Sequence, residues 1–153
     1  MKRFKYSLDT ILDYKMQVLD NQKAEHAVIL KSVHQKKREI QQLNEELKEF
    51  HQGFDKSKYM GAPIESFRLY DMCIGLMEEK INAEKEQLSV LKKKEEKKKE
   101  EVIAAKVDTS KFEKLKSRRL LEYRKAEQKE EEAFTEEFII RGLITSGKNS
   151  DVG

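Results

Sequence analysis

Tryptophan is absent from this sequence, and proline and cysteine occur once each, as Pro63 and Cys73. A single cysteine excludes an internal disulfide and fits a reducing compartment. With one proline and six glycines in 153 residues, the chain has few places to turn, which argues against a fold of many short elements. Apolar residues are sparse too, 37% against 40% charged, too few for wide core-facing surfaces. No apolar stretch approaches the roughly 20 residues that span a bilayer. Asp9 and Asp13 interrupt the basic N-terminal stretch where a signal peptide needs an apolar core. An excess of one sign is lacking as well, since 32 Lys and Arg face 29 Asp and Glu. A dedicated nucleic-acid binder more often shows a clear basic surplus. These absences together lead to the expectation of a soluble, cytoplasmic protein.

What the chain does contain is Lys, Glu, Leu and Ala in proportions typical of long helices or coiled coils. The breakers fall in two groups. Gly53, Gly61 and Pro63 sit around GFDKSKYMGAP, and Gly142, Gly147 and Gly153 mark the C-terminal end; only Gly75 interrupts an otherwise helical run. The expected organisation is one elongated coiled-coil domain, residues 1–153, with a helix at about 7–54, a bend at about 55–63, a second helix at about 64–143 and a flexible tail at about 144–153. Ser7 is a plausible N-cap, and Pro63 suits a first helical turn.

Apolar spacing carries the fold prediction. Leu8, Leu12, Leu19, Ile29, Val33, Ile40, Leu43, Leu47, Phe50 and Phe54 fall on one alternation of four and three, whose polar exceptions are Lys15, Gln22, His26 and Lys36. Phe67, Tyr70, Ile74, Met77, Ile81, Leu88, Leu91, Val102, Ala105 and Phe112 follow the same rule, with Glu84, Glu95, Lys98 and Thr109 as exceptions. A seven-residue repeat held this long implies a coiled-coil seam. Folding the chain about residue 60 sets Phe54 against Phe67, Phe50 against Tyr70, Leu47 against Ile74 and Ile40 against Ile81. The same fold sets Lys36 opposite Glu84, His26 opposite Glu95 and Gln22 opposite Lys98. Two patterns read separately thus align both their apolar and their polar positions. The predicted class is all-α, a long antiparallel two-helix coiled-coil hairpin.

The run KKKEEKKKEE at 92–101 then reads as a solvated helical stretch whose seam positions are Glu95 and Lys98. Opposite charges three or four apart add about 0.2–0.5 kcal/mol per pair. The polar seam residues Lys36, Glu84, His26, Glu95, Gln22 and Lys98 would set register, because a slip leaves them facing apolar partners.

The first helix is used up near Leu8, whereas the second continues about thirty residues past Phe112, an overhang of roughly 45 Å if helical. Leu115, Leu120, Leu121, Tyr123, Ala126, Phe134, Phe138, Ile139 and Leu143 lie along it among charged residues, and Phe4 and Tyr6 can cover only its beginning. An amphipathic helix without a partner calls for one. Ser110-Lys-Phe-Glu113 has the form of a capping box, so a break near Asp108–Ser110 is the competing reading to a continuous helix. Arg118, Arg119, Arg124 and Lys125 precede Glu127, Glu130, Glu131, Glu132, Glu136 and Glu137, which suits either a solvated face or a partner surface of alternating sign. At the bend, Phe50, Phe54, Tyr59, Phe67 and Tyr70 gather beside Met60, Met72 and Met77. Most would plug the seam, and those left exposed would form a docking patch.

Nothing supports catalysis or a cofactor. His26, His34 and His51 are spread along one helix, and Cys73 has no partner at metal-ligand spacing. Carboxylates on solvated helices have no cavity to shift their pKa values.

The opening FKYSLDTILDYK, the bend run SFRLYDMCIGLMEEKI, the stretch FEKLKSRRLLEYRKAEQKEEEAF and the late FIIRGL together resemble the FliJ proteins of the bacterial flagellar type III export apparatus over nearly the whole chain. The resemblance implies a stalk like that of rotary ATPases, entering the ring of the flagellar export ATPase hexamer and promoting its assembly. It also implies a link to the cytoplasmic domain of the membrane-embedded export gate, and traffic with export chaperones. The family's gate-contacting pattern falls on Leu47, Phe50, Phe54, Cys73 and Met77, joined at the bend by Phe67 and Tyr70; Cys73 replaces a family aromatic, and Glu84 stands where some members carry histidine. Phe4, Tyr6, Arg118, Arg119, Tyr123, Phe134 and Phe138 would face the ATPase ring. The implied location is cytoplasmic and peripheral at the inner-membrane export apparatus, with no transmembrane segment and no nucleic acid. Three alternatives stay open: the stalk of a virulence-type secretion system, a basic hairpin binding nucleic acid or ribosomes through Lys92–Lys94, Lys97–Lys99 and Arg118–Arg119, and a self-associating coiled coil.

Overall fold

The computed structural model describes residues 2–150, with side chains to residue 147. Two helices account for almost all of it, α1 (Asp9–Met60) and α2 (Ile64–Ser150), and no strand occurs among the described residues. Residues 61–63 make the turn. Gly61 takes φ 79° there, a left-handed conformation that costs side-chain-bearing residues energy and ends helices. Pro63 follows, its carbonyl accepting from the Ser66 amide at 3.0 Å, and α2 begins one residue later.

The bend is shorter than the expected 55–63 because α1 runs on past residue 54 through Gly53 to Met60. Gly53 is no breaker here. A Cβ added to it would meet the Tyr70 hydroxyl at 3.0 Å and the ring carbon Cε1 at 3.2 Å, so the glycine makes room for an aromatic ring across the seam. At its far end α2 remains helical past residue 143 to Ser150, into part of the expected tail; residues 151–153 of that tail lie outside the described residues. Ser7 does not cap α1. The first helical bond runs from the Leu12 amide to the Leu8 carbonyl, and the Ser7 hydroxyl accepts from Arg119 at 3.1 Å instead. Nor does α2 break near Asp108–Ser110. Thr109 is 3% exposed and donates its hydroxyl to the Lys15 carbonyl at 3.3 Å, while Lys15 and Asp108 form an ion pair at 2.6 Å.

The packing divides into two units, one of residues 18–105 and one of residues 1–17 with 106–153. In the 18–105 unit, Val33, Ile40, Ile74 and Ile81 are buried, and every other seam position named from the sequence is buried or half-buried. Contacts run in opposite order along the two helices. His26 meets Glu95 at 2.9 Å, Lys36 meets Glu84 at 2.6 Å, and Phe54 meets Phe67 edge-on with centroids 5.9 Å apart. One expected pair is rearranged. Lys98 binds Glu25 and, at 3.1 Å, Glu101, so Gln22 is left with its buried Oε1 atom without a partner. A carboxylate outcompetes an amide for an ammonium, since the charge-assisted bond is roughly twice as strong. Within the 92–101 run only Glu95 and Lys98 are half-buried and the other eight residues are exposed.

In the second unit, Leu12, Tyr6 and Thr109 form the buried set. Residues 2–6 are not helical; they lie as a strap against α2, with alternate side chains facing in. Tyr6 is buried and Phe4 half-buried, whereas Arg3, Lys5 and Ser7 are exposed.

Candidate interaction surfaces

At the bend, Phe54 is the centre of an aromatic cluster. Its ring lies 5.9 Å from Phe67 and 5.7 Å from Tyr70, with the Lys58 ammonium 4.0 Å from its centroid. Leu47, Phe50, Phe54, Phe67, Tyr70, Cys73 and Met77 are all half-buried, because their spacing puts them on the seam side. A different set is bare. Tyr59, Met60 and Ile64 are exposed around the turn, and Leu69, Met72 and Leu76 are each more than half exposed on α2. The last three repeat at intervals of three and four, each two residues on from the seam positions Phe67, Tyr70 and Ile74, and so share the face of α2 turned away from α1. That spacing is present in the sequence, alongside a seam register that is longer and more regular.

In the second unit the strap is held by named bonds. Tyr6 donates its hydroxyl to the Phe112 carbonyl at 3.2 Å, with Lys116 and Arg119 about 6 Å from its ring centroid. Phe4 packs on Tyr123 with centroids 5.4 Å apart, and the Tyr123 hydroxyl donates to the Lys2 carbonyl. Lys116 binds Asp9 at 2.7 Å; that hydrogen bond raises the lysine pKa above its ordinary 10.5, against the lowering effect of burial. Tyr6, Phe4 and Tyr123 therefore hold the strap to α2, and Arg119 ties down Ser7, while Arg118 stays exposed.

From residue 128 to residue 147 every side chain is exposed. Phe134 and Phe138 are each 71% exposed, and Ile139, Ile140, Leu143 and Ile144 are more than half so. At 3.6 residues per turn these six do not form one stripe; they point to all sides of the helix. Among the described residues no group of three or more His, Cys, Asp or Glu is placed to hold a metal ion, and no helix is long and apolar enough to cross a membrane.

Two long helices with a half-buried polar and apolar seam are common to many unrelated proteins, so family membership has to come from sequence. A family model described as Flagellar FliJ protein matches residues 4–148. The chain belongs to the FliJ family. That match takes in the strap, the bend and the exposed end of α2 alike. FliJ membership implies a component of the flagellar export apparatus. No curated protein and no solved structure matches the chain.

Proposed function

We propose that this FliJ-family chain is a non-enzymatic stalk and adaptor of the flagellar type III export apparatus, promoting assembly of the export ATPase ring and coupling it to the export gate. The observation that carries this reading is the stretch 128–147, exposed on every face with apolar side chains on every side. A partner lying along one side of such a helix would leave the others wet. A partner that encircles it covers all of them, and burial of a Phe or Ile side chain stabilises by about 1.5–3 kcal/mol. The pore of a ring is such a partner. In this reading α2 extends as an overhang beyond an antiparallel hairpin, and the end carrying Phe4, Tyr6, Arg118, Arg119 and Tyr123 lies at the ring with Phe134 and Phe138 inside it. Because Tyr6 is buried, its part is to hold the strap, and Phe134 and Phe138 make the contact.

The bend then faces the cytoplasmic domain of the gate. Leu47, Phe50, Phe54, Phe67, Tyr70, Cys73 and Met77 shape that end from within, and Leu69, Met72 and Leu76 supply the bare apolar surface. The chain acts at the cytoplasmic face of the inner membrane and exchanges with export chaperones there. The family match favours the flagellar system over a virulence-type one. The nucleic-acid alternative loses a cation of its lysine run, since Lys98 is held between Glu25 and Glu101.

The test is ATP hydrolysis by the cognate export ATPase at a concentration where it forms rings poorly. The wild-type chain should stimulate it, and a Phe134→Ser, Phe138→Ser variant should not, while its helical circular dichroism and melting stay unchanged because neither side chain is packed. Equal stimulation by the variant would assign ring contact elsewhere. No stimulation by either chain would remove the mechanism.

A further inference from the structure

Two shallow grooves in this protein carry opposite charge. On α1, Ala27, Leu30, Lys31, His34, Lys37 and Arg38 line one of them; Leu30 is half-buried at its floor and the other five are exposed. On α2, Glu127, Glu130, Glu131, Phe134 and Thr135 line the other. Both follow helical spacing. Ala27, Lys31, His34 and Arg38 repeat at four, three and four, and so do Glu127, Glu131, Phe134 and Phe138. Each set is therefore one stripe along its helix.

The charges in both stripes are uncommitted. Lys31, Lys37 and Arg38 form no ion pair, and neither do Glu127, Glu130 and Glu131. The acids near the first groove are engaged elsewhere, Glu25 with Lys98 and Glu39 with Lys36. Near the second, Lys125 and Lys129 lie by their spacing on the far side of α2 from Phe134. Order along the stripes also gives a contact between them its direction. The α1 groove has cations at its C-terminal end, Lys37 and Arg38, and small residues at the other, Ala24 and Ala27. The α2 stripe has acids at its N-terminal end, Glu127 and Glu130, and Phe138 at the other. Laid antiparallel, Arg38 comes level with Glu127, His34 with Glu131, Leu30 with Phe134 and Ala27 with Phe138. Laid parallel, the acids fall on alanines and Phe138 falls on Arg38, so the charges lose their partners.

We infer that the acidic face of α2 from Glu127 to Phe138 docks antiparallel in the α1 groove, between Ala24 and Arg38, of a second copy of this chain. Carboxylates pair with Lys37 and Arg38 at one end, and the two phenylalanines lie on Leu30 and Ala27 at the other. Such a contact joins two different patches of the same chain, and it either closes reciprocally as a dimer or repeats. Opposite charge speeds the encounter, and salt weakens it. The inference goes beyond the proposed function and stands without it. Where both hold, ring and second copy compete for Phe134 and Phe138, so a self-docked chain keeps its ring-binding side chains covered until a ring takes them.

The experiment is sedimentation of the full-length chain over a range of concentrations in low and high salt. Four chains are compared: wild type, Lys37→Glu with Arg38→Glu, Glu127→Lys with Glu130→Lys, and all four substitutions together. Wild type should self-associate in low salt and come apart in high salt. Each double variant should associate at least about tenfold more weakly, since it sets like charges against each other. Mixing the two double variants should restore association, because the intact face of one meets the intact groove of the other. The fourfold variant should recover it alone. Helical circular dichroism should be the same for all four chains, since none of these side chains is paired in the fold.

Restoration on mixing would support the inference, because one damaged fold does not repair another. A wild-type chain that stays monomeric in low salt would overturn it and leave the α1 groove to an acidic helix of a different protein. Association retained by both double variants would place the self-contact elsewhere and overturn it, as would loss in both without recovery on mixing. Stimulation of the export ATPase, measured in parallel, separates this inference from the ring reading. A chain that self-associates as described but stimulates no ATPase would support the contact between copies and remove the ring.

Discussion

Single residues here show how one chemical type does different work at different places. Glycine is the clearest case. Replacing Gly75 by Ala should stabilise the chain by about 1 kcal/mol, the usual helix-propensity gain at an open site. Gly53→Ala should gain less or lose stability, because its new methyl group meets the Tyr70 ring at 3.0–3.4 Å and the ring must give way. Urea unfolding of the two variants side by side checks the difference. Gln22 offers a third case. Its Oε1 atom is buried without a partner, so Gln22→Leu should raise stability by about 1 kcal/mol or more, read from the same unfolding curves. The lysines respond to alkali. Glu84 accepts a hydrogen bond from Lys36 and thereby raises its pKa above 10.5, outweighing the opposing effect of burial. Lys98 is raised mainly by Glu25 and then Glu101, and Lys116 mainly by Asp9. Since each folded-state value lies above the unfolded one, these pairs contribute fully at neutral pH and are lost only as pH rises through the raised values. A Lys36→Met variant should therefore lose less stability than wild type when the pH is taken from 8–9 to above 10.5.

At the scale of the element, the seam was readable because a seven-residue repeat leaves little freedom. Ile40 and Ile81, paired on paper by spacing alone, are both buried, and Lys36 and Glu84 meet as ion partners. Ile81→Ala should cost about 2–4 kcal/mol, measurable as a lowered urea midpoint, whereas Leu76→Ala on the opposite face should cost far less. Helix ends were less legible. Gly53 looked like a terminator and is instead a seat for Tyr70, a distinction that depends on a side chain seventeen positions later. The strap was half visible. Phe4 and Tyr6 suggested cover for α2, but a run of two inward aromatics is too short to establish a period. What fixes the strap is backbone carbonyls, those of Phe112 and Lys2, and no residue pattern announces a carbonyl. Leu69, Met72 and Leu76 also repeat at three and four, and only their exposure in the folded chain separates them from the seam residues beside them.

For the molecule as a whole, near-balance of charge conceals local imbalance. The net charge is +3, yet Arg118, Arg119, Arg124 and Lys125 give way within α2 to Glu127, Glu130, Glu131, Glu132, Glu136 and Glu137. Each block can meet an opposite sign on a partner without making the protein sticky overall. The strap has a further consequence, for the order in which the protein comes together. Phe54 and Phe67 are close in the chain and can meet as soon as the turn has left the ribosome. The bond from Tyr123 to Lys2 joins residues 121 apart. Lys2 is made well before Tyr123, and its seat does not exist until that turn of α2 has been synthesised. The strap must wait, uncommitted, for a helix still to come.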